Sequence, residues 1–248
     1  MSQSKDEKVE DAITFIEEQL KIYSEDEIAT VNSFGKDSIL TQWLVRKVNP
    51  KIRTLWIKPP FLPDATIDFA RKVTQMWNLH LIAVTSDKEK DREFMENVVY
   101  KPKLWKTNPE LCCQIFKVEP IMKAVNELGL KAWFSGMRKT ESEKRSIYTR
   151  IWKQGDFTKL HPILNFTEAD VWRITAANHL PVHPWYAKGY RSLGCEPCSF
   201  PNVWNSERGG RWKDTLMEGG DMSLVNPAHS YVESTALLHQ HIERISDF

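Results

Sequence analysis

Apolar and polar positions follow two rhythms along the first half of the chain, and the changes between them mark its elements. From Lys5 to Tyr23, Val9, Ile13, Ile16 and Leu20 recur every three or four residues, which predicts an amphipathic helix. Ile28 to Asn32 is a short apolar run with β-branched Ile28, Thr30 and Val31, the pattern of a buried strand. After Ser33-Phe34-Gly35-Lys36-Asp37-Ser38, helical spacing returns at Ile39, Leu40, Trp43 and Leu44. Lys51–Ile57 predicts a second strand, ending at Pro59-Pro60. Asp64 is placed to cap a helix over Ala65–Trp77, and Leu79–Val84 predicts a third strand. Strands and helices alternating at this interval predict parallel βαβ units with right-handed crossovers. Ligands of such sheets lie outside the carboxyl ends of the strands, where both the Ser33–Ser38 loop and Lys58 to Asp64 fall.

The second half is less regular. Lys88 to Lys106 is charged and aromatic with few sheet signals, and is expected to be a surface excursion. Helical spacing resumes from Leu111 to Leu128, with Cys112 and Cys113 at its start. Ala132–Phe134 predicts a fourth strand, followed by Ser135-Gly136-Met137-Arg138, and Asp156 to Leu164 a fifth strand or extended arm. Thr167 and Asp170 approximate a capping box for a further helix. From Pro181 the chain is rich in Pro, Gly and aromatics and reads as irregular. Val232, Leu237, Leu238, Ile242 and Ile245 predict a last amphipathic helix, suited to docking, to homodimerisation or to packing on its own domain. With no internal repeat and no low-complexity linker, the expected organisation is one α/β domain over residues 1–215. It is a Rossmann-like parallel sheet flanked by helices with an irregular C-terminal part, followed by a tail and helix at 216–248.

Composition narrows the classes. The 248 residues suffice for a large buried core, and 41% hydrophobic with 27% charged residues describes a soluble globular chain. A net charge of +1 excludes a simple polyelectrolyte binder of nucleic acid, while leaving room for a local basic cleft. No apolar run approaches the ~18 residues of a membrane span. The opening MSQSKDEKVEDA lacks the apolar core of a signal peptide, so a cytoplasmic location is expected. Four cysteines in such a chain point to metal ligands or redox groups rather than disulfides.

The chemistry concentrates in a few stretches. A strand, a tight loop and a helix start present backbone N–H groups to an anion. Gly35 allows close approach, Ser33 and Ser38 offer hydroxyls, Lys36 a compact cation, and Asp37 a cap or a metal ligand. Phosphate or sulfate is the ligand this suits, the alternative being an ordinary capped turn. The loop is not a Walker A loop, because GxxxxGK[ST] is absent. The cysteines fall in two pairs, Cys112-Cys113 and Cys195-Glu196-Pro197-Cys198. Four thiolates and no competing histidine in the pairs suit an iron–sulfur cluster or zinc. Redox thiols, or two buried small hydrophobes beside a chance CxxC, are the other readings. Arg138 falls at the sheet's carboxyl edge, with Lys139, Lys144, Arg145 and Arg150 after it, either for bidentate recognition of an oxyanion or as a solvated face. Lys188, Arg191, Arg208, Arg211 and Lys213 interleave with Trp185, Tyr186, Tyr190, Trp204 and Trp212, which suits a nucleotide or single-stranded nucleic acid, or a wall around a metal site.

Six motifs occur in one order: SFGKDS at Ser33–Ser38, FLPDA at Phe61–Ala65, CC at Cys112–Cys113, SGMRKTES at Ser135–Ser142, HPILNFTEADVW at His161–Trp172 and YRSLGCEPCS at Tyr190–Ser199. By these the chain resembles, from about Glu27 to about Thr215, the adenylyl-sulfate and phosphoadenylyl-sulfate reductase family of the PP-loop, or adenine nucleotide α-hydrolase, group. The resemblance implies an iron–sulfur-binding C-terminal part, with a [4Fe–4S] cluster on Cys112, Cys113, Cys195 and Cys198. It implies that Ser33, Phe34, Gly35, Lys36, Asp37 and Ser38 hold the phosphates of an adenine nucleotide, with Gly136, Arg138 and Arg145 lining the anion site. Lys36, Asp37 and Arg138 are then the expected catalytic groups, and Asp37 or Asp64 would hold Mg2+.

Two departures set the subclass. Assimilatory reductases that the chain resembles carry a catalytic cysteine in a C-terminal Glu-Cys-Gly-[Ile/Leu]-His segment, after a stretch like Arg208–Trp212. Here KDTLMEGGDMSLVNP follows, with no further cysteine, so reduction has no nucleophile unless a partner lends one. Phe34 replaces the first glycine of the usual SGGxDS, while Gly35, Asp37 and Ser38 are kept. With its KDS and without the cysteine, the chain most resembles the ATP-pyrophosphatase component of DNA phosphorothioation systems. That resemblance implies cleavage of ATP to AMP and pyrophosphate, a cysteine desulfurase as sulfur donor, and DNA facing the Lys188–Lys213 segment. The alternatives are a reductase of sulfate assimilation, a tRNA thiolation enzyme, and a non-catalytic nucleotide and iron–sulfur sensor or scaffold.

Overall fold

The run Ile28–Val31 forms β1, buried on both faces as its unbroken apolar sequence requires. In the computed structural model, which describes residues 5–202, 206–213 and 215, β1 is an inner strand of a six-stranded sheet. The other strands are β2 (Arg53–Ile57), β3 (Leu81–Val84), β4 (Ala132–Phe134), β5 (Ile151–Gln154) and β6 (Phe157–Leu160), in the order β3-β2-β1-β4-β6-β5. The pairs β1–β2, β1–β4 and β4–β6 are parallel, with Thr30 beside Thr54 on one side and Phe134 on the other. The order reverses beside β1: the chain builds outward to β3, then returns to add β4 on the opposite flank. A ligand cleft belongs at the carboxyl end of such a switch point.

Helices cover the sheet. α1 (Lys5–Ile22) packs on α2 (Lys36–Val48), and α2 also packs on the helix Glu168–Ala177. Thr167 and Asp170 close the expected capping box. α3 (Asp64–Trp77) begins from Pro63, so Asp64 does not cap it; Asp64 is its first residue and is exposed, where its charge faces the positive helix end.

The expected α/β fold with a mainly parallel sheet is borne out, but the sheet is not parallel throughout: at its edge β5 pairs antiparallel with β6 across a two-residue turn at Gly155-Asp156. Gly155 adopts φ +60 there, which the tight hairpin requires. β5 escaped notice because Ile-Trp-Lys-Gln groups its apolar residues instead of alternating them, and Ile151 is exposed on the sheet's edge. Nor is Lys88 to Lys106 a surface excursion. It folds into short helical turns at 87–100 and 104–107, and buries Phe94, Met95, Val98, Val99 and Leu104 against Leu111, Cys112, Ile115 and Phe116. Its apolar residues are spaced for a helix, but the ten charged residues of Lys88 to Lys106 mask the stripe.

The chain divides into two compact units. The first comprises residues up to 56, with 63–83 and 125–189, and carries the sheet. The second comprises 57–62, 84–124 and the described residues from 190 onward, and carries the helical turns and all four cysteines. The expected tail and helix at 216–248 lie outside the described residues. Among the described residues, no helix is long and apolar enough to cross a membrane.

Leu55 on β2 is fully buried. Leu55→Ala should lower unfolding free energy by about 2–5 kcal/mol, measured by denaturant titration.

Candidate functional site

In the first unit, the loop after β1 turns back toward α2 through Phe34, which has φ +60. This left-handed conformation costs a non-glycine residue roughly 1–2 kcal/mol. Two features hold it. The Phe34 N–H donates to Asn32 Oδ1 at 2.7 Å, and the ring is fully buried, edge-on to Trp56 at 5.3 Å and to Phe69 at 6.5 Å. Burying a phenylalanine returns about 1.5–3 kcal/mol, enough to offset the strain. Phe34 thus keeps the backbone shape that a glycine would supply and anchors the loop to the core.

Gly35 precedes α2 and offers no side-chain cap. Lys36 is buried in the first turn, its ammonium 3.4 Å from Asp37 Oδ2 and 3.7 Å from Glu168 Oε1. Ser33 and Ser38 join their hydroxyls across the loop at 3.0 Å.

Arg138 arrives from the loop after β4, next to β1 in the sheet. Its side chain is 0% exposed; Nε donates to Asp37 Oδ1 at 2.5 Å and Nη1 to Thr140 Oγ1 at 2.8 Å. The Arg138 N–H donates to Glu141 Oε2, to which Arg145 Nη1 also donates. Arg145 is therefore engaged with Glu141. Burial opposes the Asp37 charge, but the Lys36 ammonium and the Arg138 guanidinium prevail and hold its carboxyl below the usual range. Gly136 permits this arrangement: a Cβ there would lie 2.6 Å from the Asp37 carbonyl carbon and 2.8 Å from the Ser38 nitrogen. The loops after β1 and β4 touch backbone to backbone, as only glycine allows.

His161, at the end of β6, hydrogen-bonds through Nδ1 to Ser135 Oγ at 2.8 Å. Burial, with Lys159 and Arg145 nearby, lowers its pKa to about 3. His183 pairs through Nε2 with Thr66 Oγ1 at 3.0 Å, and burial lowers its pKa to about 4.

The second unit gathers the cysteines. Cys113, Cys195 and Cys198 pack with Trp212, and Phe61 and Trp105 lie against them. Cys112 and Cys113 end the helix Pro109–Cys113, capped by Asn108. The CxxC pair brackets one 3-10 turn, Glu196–Cys198, whose Cys198 N–H donates to the Cys195 carbonyl at 3.1 Å. Burial pushes the Cys112 thiol up, and Cys113, Cys195 and Cys198 add to the shift; burial, then Cys195, raises Cys198 to about 11. Lys117 lies one helical turn beyond Cys113, within the field of Cys113, Cys195 and Cys198 and 5.9 Å from the centre of the Trp212 ring. Arg211 stacks on Trp212 at 4.5 Å and donates through Nη1 to Ser199 Oγ. Arg208, Arg211 and Trp212 are buried, so this part of the basic–aromatic stretch is a wall around the cysteines. Lys188 and Lys213 are exposed, and Trp204 lies outside the described residues.

The fold thus brings Ser33–Ser38, Gly136 and Arg138 together in one unit and the four cysteines together in the other. Thr140, Glu141, Glu168 and Tyr186 join the first group; they fall within motifs or the basic–aromatic stretch, but no spacing connects them with the loop. Lys117 had one, its spacing of four from Cys113 on a helix.

A predominantly parallel sheet with a loop at the β1 switch point defines a doubly wound α/β protein, and comparisons agree. The solved phosphoadenylyl-sulfate reductase of Candida auris, in a phosphate complex, superposes with a TM-score of 0.65 at 21% identity, covering 79% of this chain and 98% of that one. The FMN adenylyltransferase of Candida glabrata, solved with FMN and the ATP analogue AMPCPP, gives 0.62 at 18% identity over 82% of this chain and 69% of that one. Residues 27–201 match the model of the phosphoadenosine phosphosulfate reductase domain. A Bacillus cereus protein named adenosine 5'-phosphosulfate reductase is 30% identical over 216 residues, 86% of this chain and 90% of that protein. One of the same name from Lysinibacillus sphaericus is 31% identical over 191 residues, 75% and 80% respectively. The chain belongs to the phosphoadenosine phosphosulfate reductase family.

Asp37 balances a guanidinium with no exposure to water, so Asp37→Ala should cost about 3–5 kcal/mol of stability in denaturant titration. Acid should also destabilise the fold. His161 and His183 bind protons less readily folded than unfolded, where the ordinary value is 6.5. Their contribution is constant above that value and is lost as pH falls from about 6.5 toward about 4. His161→Gln should flatten this part of a stability-against-pH curve.

Proposed function

We propose that the chain binds ATP at the Ser33–Ser38 loop and cleaves it to AMP and pyrophosphate, activating an acceptor oxygen by adenylation for replacement by sulfur. The observation that carries this reading is the rigid junction of Lys36, Asp37 and Arg138 at the carboxyl edge of β1 and β4, fixed by Gly136. Lys36 and the loop N–H groups would stabilise charge developing on the leaving pyrophosphate, and Arg138 would hold the α-phosphate region. Mg2+, when bound, would neutralise phosphate charge in this chemistry. Asp37 is its nearest candidate ligand but is already shared by two cations, and Asp64 is exposed at the start of α3.

The cysteine residues fit a [4Fe–4S] cluster. Three buried thiols, Cys113, Cys195 and Cys198, share one apolar cluster with Cys112 in their field, Lys117 and Arg211 offset the anionic charge such a centre carries, and Trp212 Nε1 is buried without a hydrogen-bond partner among the described residues. When bound, the cluster would supply electron or sulfur transfer. The proposed sulfur donor is a cysteine desulfurase, the proposed acceptor is the DNA backbone, and the setting is the cytoplasm. Each of the four cysteines is buried and paired in sequence with another, which supports sulfur transfer over reduction through an own thiolate.

A second reading, reduction of adenylyl sulfate with an external thiol, draws on the names of the relatives at 30% and 31% identity. Anaerobically purified protein with ATP and Mg2+ should release pyrophosphate, and Lys36→Ala should slow release by about a hundredfold or more. Sulfite from adenylyl sulfate and thioredoxin, without pyrophosphate from ATP, establishes the reductase instead. Cys195→Ala should lose iron and sulfide content together.

A further inference from the structure

The first helical N–H of α2 is already occupied. Lys36 N–H donates to the phenolic oxygen of Tyr186, 150 residues further along, at 2.8 Å. A helix N-terminus leaves such N–H groups for a cap or an anion, and Gly35 supplies no cap. A Cβ on Gly35 would lie 3.3 Å from the same oxygen, so the Tyr186 hydroxyl sits inside the loop rather than at its rim. The Tyr186 ring also lies 5.5 Å from the Lys36 ammonium and stands edge-on to Trp172 at 5.0 Å.

The backbone carrying Tyr186 is anchored. The turn Pro184–Lys188 is capped by His183, whose Nδ1 accepts from the Trp185 N–H at 3.1 Å and whose Nε2 pairs with Thr66. Gly189 closes the turn at φ +84. Tyr186 is half-buried, and a change of its side-chain rotamer would take the phenol off the loop while the turn stays in place.

We propose that Tyr186 gates the Ser33–Ser38 loop: its phenolic oxygen holds the position of a phosphate oxygen, and a nucleotide displaces it on binding. The inference rests on the loop being the nucleotide site. A charged phosphate oxygen makes a stronger bond to an N–H than a neutral phenol, so displacement is favourable, yet the gate lowers apparent affinity by the strength of the bond it gives up. Tyr186 thus sets how much nucleotide is needed to fill the site, and in the closed state it shields the Lys36 N–H from other oxyanions.

Tyr186→Phe removes the oxygen and keeps the ring over Lys36. Calorimetric titration of the full chain with ATP, and separately with inorganic pyrophosphate, should show the variant binding about two- to tenfold tighter than the parent. Tyr186→Leu should shift in the same direction, and circular dichroism checks that both variants fold. Weaker or unchanged binding in the variants, with the parent binding normally, overturns the gate and makes Tyr186 a ligand contact or a bystander. If neither parent nor variant binds ATP or pyrophosphate, the reading of the loop fails and the gate with it.

Discussion

A carboxylate between two cations organises the sheet's carboxyl edge. Asp37 offers one oxygen to Arg138 and the other to Lys36; Lys36 and Asp37 open the helix that follows β1, and Arg138 lies in the loop that follows the neighbouring β4. Burying the Arg138 guanidinium without Asp37 would leave an uncompensated charge in a medium of low dielectric. Asp37 in turn depends on Gly136, because any side chain there would drive the two loops apart. The geometry of the loop is therefore a property of β1 and β4 together, not of Ser33–Ser38 alone. Phe34 shows the same dependence from below: its strained backbone persists because its ring is locked against Trp56 and Phe69.

The second unit works by a different principle. Cys112 and Cys198 are held where burial disfavours their charged form, so a metal centre that takes them as ligands must displace their protons. Aromatic walls and two cations surround them, and the charge of any anionic centre would be met at close range by Lys117 and Arg211. Arg208, Arg211 and Trp212, which in sequence read equally well as a nucleic-acid surface, serve as packing here. Burial, which sequence does not report, decides between the two roles.

What could be read from sequence was the local part. The β1 strand, the loop, the α2 helix, the Thr167 capping box and the pairing of cysteines all follow from short-range patterns. The antiparallel β5 was missed because an edge strand need not alternate, and the helical turns at 87–107 because charge masked their stripe. Asp64 is the first residue of α3 and not its cap; Pro63 stands at the cap position in extended conformation, with no side-chain hydrogen bond to the helix. At the site, Lys36, Asp37 and Arg138 were legible as residue types, but their mutual bonding was not. Tyr186, Glu168 and Glu141 reach the loops only through tertiary packing, and no spacing rule connects Lys36 with a tyrosine 150 positions away.

The central claim is that the Ser33–Ser38 loop directs cleavage to the α-phosphate of ATP. Phosphorus NMR of ATP incubated with the anaerobic full chain and Mg2+ reads the products directly. AMP and pyrophosphate signals should rise together. ADP and inorganic phosphate in their place, or unchanged ATP in the presence of the sulfur donor and DNA, would contradict it.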